Sequence, residues 1–158
     1  MSRELVPFLG LNFDNRSLAE ALEKIKGFID SGRPHKIFTP NVALLVWSRE
    51  DPFLRDVYNS CDLVSVDGMV IYYALKFLGT PLKDSVSASL MFYPLLELSQ
   101  NEGHGIYFVG AQEEVVETAV KNLRKEYQGV NICGYHHGYF DMENPPQALV
   151  CLLYTSDA

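Results

Sequence analysis

The sequence predicts an α/β fold, a Rossmann-like, mainly parallel sheet flanked by helices and incomplete at the C-terminus. Three observations predict it. Short apolar runs alternate with longer amphipathic ones along most of the chain. "GIYFVG", "AQEEVVETAVKNLRKEYQG" and "VNICGY" follow one another as strand, helix and strand, the order of a parallel crossover unit. Polar or flexible residues directly follow apolar runs at Thr39, Asp67 and Gly110, the place where open α/β sheets bind ligands.

"FLGLNFDN" reads as an opening strand and turn. Ser17 and Glu20 have capping-box spacing, so a helix starts there and carries Leu18, Leu22, Ile25 and Ile29 as one stripe to a stop at Gly32. "KIFTPN" is a short strand ended by Pro40, whose ring removes a ladder donor. "VALLVWSRE" is helical in pattern, with Trp47 expected in the core. Asp51-Pro52 supplies a cap and a first-turn proline for the next helix. "DLVSV" is a strand ending at Asp67, residues 69–78 a helix, and Gly79 its stop. The polar segment "TPLKDSVSAS" leads to a helical run in which Pro94 marks a bend or a first turn.

At 158 residues the chain fits one domain with a real core. A formal charge of −7 disfavours a broad nucleic-acid surface, which needs Lys and Arg over the phosphates. It leaves room for one small cationic pocket. No apolar run is long enough to span a bilayer. Cys61, Cys133 and Cys151 are too scattered for a disulfide framework or a paired-Cys zinc site, and read as small core residues. His136 and His137 are adjacent on an extended segment, which aims them at opposite faces and speaks against a shared metal. No metal or other cofactor is expected. The last eight residues, "CLLYTSDA", break the α/β rhythm and resemble a translated library adapter. Residues 1–150 are therefore expected to be a partial single domain and 151–158 a non-native tail.

Several residues could carry chemistry, each with a structural alternative. Asp67 could cap the helix that follows, with Gly68 easing the turn. Its apolar flanks equally suit a half-buried base that takes a proton from an attacking hydroxyl. Thr39 and Asn41 could bond a sugar or nucleobase, or Asn41 could cap a helix. Gly110 opens a loop whose helix amides suit a diphosphate, or it is a plain strand-to-helix turn with Glu113 and Glu114 beside those amides. "GYHHGYF" places aromatics beside flexible backbone, as a stacking platform or an ordinary loop.

The ordered set "FLGLNFDN", "IFTPN", "DLVSVDGMVI", "LGTPLKDSV", "IYFVGAQEEV" and "GYHHGYF" resembles the WecG/TagA/CpsF family of bacterial glycosyltransferases up to residue 140. The resemblance implies an inverting enzyme without a required metal. It would move an N-acetylmannosamine-like sugar from a UDP-sugar to a sugar on a polyprenyl diphosphate. Such products feed teichoic-acid linkage units and other surface polysaccharides. It further implies a cytoplasmic protein, peripheral at the inner face of the plasma membrane. By position, Asp67 matches the family's general base, Thr39 a residue of the catalytic cleft, and Asn41 and Gly68 substrate-binding positions. Gly110, Gly138 and Tyr139 match loops of the donor pocket. Ser85 stands where the family usually has arginine, with Lys83 near it, so a bidentate diphosphate contact is missing. The family continues after "GYF" with a strand, a loop and a basic membrane-docking tail. Without them, little or no activity is expected, as is self-association through an exposed sheet edge. A non-catalytic UDP-sugar-binding module or inactive fragment is the alternative.

Overall fold

A computed structural model describes residues 3–141, 143–147 and 149–150. The expected tail at 151–158, with Cys151, lies outside the described residues. The chain divides into two compact units, one up to Met91 and one from Phe92 onward.

The first unit opens on β1 (Leu5–Phe8) and β2 (Leu11–Asp14), which pair antiparallel. The expected strand-and-turn is thus a hairpin. Leu9 and Gly10 occupy its two-residue loop at φ 48° and 92°. Positive φ at both positions is what a type I′ turn demands, and it matches the twist of the strands. Helix α1 (Leu18–Asp30) follows with a complete capping box. Ser17 Oγ accepts from the Glu20 N–H, and the Glu20 carboxylate accepts from the Ser17 N–H.

β3 (Ile37–Phe38) runs parallel to β4 (Leu63–Val64), with α2 (Val42–Glu50) and α3 (Pro52–Asn59) between them. α3 begins as its sequence dictates, with Asp51 Oδ1 accepting from Phe53 and Leu54 and Pro52 in the first turn. α4 (Met69–Phe77) follows β4, and Gly79 at φ 78° closes it. The core joins Leu11 and Phe13 of β2, Leu45 of α2, Val64 of β4, and Ile71 and Leu75 of α4. Trp47 is not part of it. The ring is 57 % exposed, because α2 turns Leu45 and Ser48 inward and the indole lies off that face.

α5 (Ala88–Glu102) leads into the second unit and contains Pro94 in its interior, beyond the first turn. There β5 (Ile106–Val109), α6 (Glu113–Glu126) and β6 (Ile132–His136) form the expected parallel crossover. Val116 and Val120 of α6 pack with Ile132 of β6, and Phe108 and Leu123 pack against that group. A register irregularity at Ile106/Tyr107 lets the Tyr107 ring cover Gly134, where any Cβ would overlap the ring. Cys61 is buried as expected, whereas Cys133 is exposed on its strand.

The fold is therefore mixed α/β. Among the described residues its strands pair as one antiparallel and two parallel two-stranded units, not as one continuous mainly parallel sheet. No helix among them is long and apolar enough to cross a membrane.

Candidate functional site

In the first unit, main-chain hydrogen bonds continue past the short β3–β4 pair and position the candidate residues. Leu63 N–H donates to Lys36 O at 3.3 Å, Ser65 N–H to Phe38 O at 2.9 Å and Asp67 N–H to Pro40 O at 3.1 Å. Every second residue of one strand thus reaches every second residue of the other, as a parallel ladder requires. Pro40 has no N–H to extend the ladder and is buried. Asp67 is thereby held beside Thr39-Pro40-Asn41, with Thr39 and Asp67 half-buried and Asn41 exposed.

The two helices that start at this rim are capped differently. Asn41 is a cap, its Oδ1 accepting from the Leu44 N–H at 3.1 Å. Asp67 is not. The N-cap of α4 is Gly68, at φ 97° and ψ 151°, and no side chain caps that helix. Among the described residues the Asp67 carboxylate has no hydrogen-bond or ion-pair partner. A half-buried carboxylate with both oxygens free is suited to receive a proton. Positive φ explains the glycine, since a side chain at position 68 would strain the turn that frees Asp67.

Ser85 is buried at 7 % exposure, and its N–H donates to Asp84 Oδ1. Its segment is fastened to the start of α1: the Lys83 N–H donates to Asn15 Oδ1, and Lys83 Nζ pairs with Glu20 at 2.8 Å. Lys83 therefore spends its charge on Glu20, and burial of Ser85 leaves no long donor in that place.

In the second unit, two loops after parallel strands meet. Gly110 N–H donates to His136 O at 3.0 Å, and Gly138 N–H to Ala111 O at 2.9 Å. A Cβ at Gly138 would stand 3.0 Å from Gly110 Cα, so this approach needs glycine. The N-cap of α6 is Gln112, without a side-chain bond, so the amides of Glu113 and Glu114 lack a side-chain cap. Gln112, Glu113, His137 and Tyr139 line an open cavity of about 320 Å³ beside that helix end, and the Tyr139 ring is mostly exposed. His136 and His137 do not point apart. Their rings lie 4.4 Å centroid to centroid, because β6 ends at His136 and the two-residue alternation ends with it. Among the described residues no three His, Cys, Asp or Glu side chains are grouped to hold a metal.

Sequence reading missed Asp14. It is 4 % exposed at the end of β2, and it accepts from Arg3 Nε and Nη2 at 3.0 and 2.8 Å. Lys24 Nζ lies at 3.4 Å, and the buried Val64 N–H donates to Oδ2 at 2.9 Å. Burial pushes this carboxyl up, but the Arg3, Val64 and Lys24 contacts together outweigh it and hold it below the usual carboxylate value. The side chain takes a strand partner's place at β4, three residues before Asp67. Arg3, Arg16 and Lys24 in the sequence were the signal, but their convergence is set by the fold.

The chain is 26 % identical over 141 residues to an N-acetylglucosaminyldiphosphoundecaprenol N-acetyl-beta-D-mannosaminyltransferase of Staphylococcus aureus, covering 88 % of this chain and 55 % of that protein. It is 23 % identical over 134 residues to a protein of the same name from Bacillus spizizenii, covering 84 % and 52 %. The chain thus spans about half the length of the curated relatives it matches. The sequence profile of the glycosyl transferase WecG/TagA/CpsF family matches residues 6–158, across both units, and the chain belongs to that family.

Proposed function

We propose that this chain belongs to an inverting glycosyltransferase that moves an N-acetylmannosamine-like sugar from a UDP-sugar to a polyprenyl-diphosphate-linked sugar. The product would enter teichoic-acid or other cell-surface polysaccharide synthesis. The observation that carries this is the half-buried Asp67 carboxylate, without a side-chain partner among the described residues, fixed beside Thr39 and Asn41 by the main-chain ladder. The two relatives are named for transfer of N-acetylmannosamine to a diphosphoundecaprenol-linked sugar, which supports the substrate class.

In the reaction, Asp67 accepts the proton of the acceptor hydroxyl as that oxygen forms a bond to the anomeric carbon. The bond from that carbon to the diphosphate oxygen breaks, and UDP leaves with the electron pair on the opposite face. Thr39 and the side-chain amide of Asn41 contact the sugar at the same rim. Gly110, Gly138 and the first amides of α6 serve the donor diphosphate, and the exposed Tyr139 ring stacks on a base or sugar. The family match across residues 6–158 supports one glycosyltransferase domain in a Rossmann-like arrangement. A lipid-linked acceptor places the work at the inner membrane surface.

The test is transfer from UDP-N-acetylmannosamine to a lipid-linked acceptor by the full-length native protein that contains this chain and by its Asp67→Asn variant. The variant should keep its circular dichroism spectrum and UDP affinity and lose at least about 10²-fold in rate. Turnover near the native rate removes Asp67 from the role. UDP-sugar bound by the native protein but never consumed would make the chain a binding module.

A further inference from the structure

Helix α4 is apolar on two opposite sides. Ile71 and Leu75 are buried in the core. At the helical angle of roughly 100° per residue, Met69, Val70, Tyr73 and Phe77 fall together within an arc of about 100° on the other side. These four are between 48 % and 91 % exposed, and no charged residue interrupts them. A helix end to end in water does not ordinarily carry such a face, and a contiguous exposed apolar strip marks a binding surface.

Its position says what it binds. The strip starts at Met69, two residues after Asp67, and runs away from that carboxylate for roughly 12 Å along the helix axis. A thioether, a branched aliphatic group and two aromatic rings line it, with a single hydroxyl at Tyr73. A hydrocarbon laid along it meets one polar group, the Tyr73 hydroxyl, and otherwise apolar side chains. The start of α2 adds to this surface chemistry: Val42 and Val46, on the helix that follows Asn41 at the same rim, are also exposed.

We propose that the outer face of α4 is a docking strip for the isoprenoid chain of the lipid-linked acceptor, laid along Met69, Val70, Tyr73 and Phe77 while its sugar reaches Asp67. This rests on the function proposed above, and it adds the site that holds the lipid. The strip binds the acceptor's own tail, not the bulk bilayer and not a second copy of the chain.

The experiment measures binding of dimethylallyl diphosphate, with one isoprene unit, and farnesyl diphosphate, with three, to the native chain, to Tyr73→Ser/Phe77→Ser, and to Phe53→Ser. Phe53 is an equally exposed ring on α3, away from the strip. UDP binding is measured alongside. The native chain should hold the long isoprenoid at least about tenfold more tightly than the short one. The double variant should lose that margin, and Phe53→Ser should keep it. Equal margins in the native chain and the double variant overturn the proposal, as does an equal loss in Phe53→Ser. Binding of equal strength to phosphatidylcholine–phosphatidylglycerol vesicles without isoprenoid overturns it in favour of the bilayer. Self-association abolished in the double variant, with lipid discrimination intact, overturns it in favour of a second copy. Absent UDP binding with an intact chain-length margin would count against the donor in the proposed function and leave the strip standing.

Discussion

Deleting the Asp14 carboxylate tests how the first unit is joined. Asp14→Ala removes the paired Arg3 contact, the Lys24 contact and the acceptor of the Val64 N–H in one change. The two cations keep partial access to water, with side chains 34 % and 19 % exposed, so their share is small, about 1–2 kcal/mol. The Val64 N–H has no such access, and leaving it without an acceptor costs about 1–3 kcal/mol more. The expected loss for Asp14→Ala is therefore about 2–5 kcal/mol, overlapping the range of about 3–5 kcal/mol for breaking a buried pair. Asp14→Asn keeps an oxygen for Val64 and gives up only the charge, so about 1–2 kcal/mol is expected. Urea unfolding followed through Trp47, the only tryptophan and a residue of this unit, reads both values. An alanine variant within about 1 kcal/mol of native, or equal losses for alanine and asparagine, would refute the reasoning.

The same pair of proteins gives a pH prediction. The folded pKa of Asp14 lies below its usual value of 3.8, so its stabilisation is complete above that value and is lost as pH falls through the folded pKa. The gap between native and Asp14→Ala should be full at neutral pH and narrow as the solution is acidified below 3.8. A gap that widens on acidification contradicts the sign. In the second unit, Gly134→Ala drives a methyl into the Tyr107 ring and should cost about 1–3 kcal/mol, read by near-ultraviolet dichroism of the tyrosines. An unchanged midpoint there would show that the ring is free to move aside. At Asn41, alanine should lose about 1 kcal/mol of stability by uncapping α2, and serine should restore it. Transfer should remain impaired in the serine variant if the amide also contacts substrate, and full recovery of both would reduce Asn41 to a cap.

What could be read from sequence was local. The Ser17–Glu20 box, the Asp51-Pro52 start and the Gly79 stop each rest on contacts within a few residues, and each helix forms where they place it. The β5–α6–β6 unit was legible for the same reason, its strand and helix periods being unmistakable over a short span. The opening hairpin was not, because its loop sets a leucine at positive φ, where composition points to Asn, Asp or Gly. Trp47 was misplaced because nearly every residue of 42–47 is apolar, so no one face of α2 stands out. Asp14 was invisible because its partner Val64 is 50 positions away. At the candidate site, the sequence supplied Asp67 and its neighbours but not whether Asp67 caps α4. That depends on one glycine taking the cap position, a backbone angle that no residue count expresses.

The ladder that ends at Pro40 separates support from chemistry. Main-chain atoms alone hold Asp67 next to Thr39 and Asn41, so the carboxylate is anchored by a bond that every amino acid except proline can make at position 67. Side chains on this rim can change without moving the scaffold that presents them. On the proposed function, a family member could exchange the groups at this rim and keep the same trace, so that new acceptor preferences arise through single substitutions that leave folding untouched.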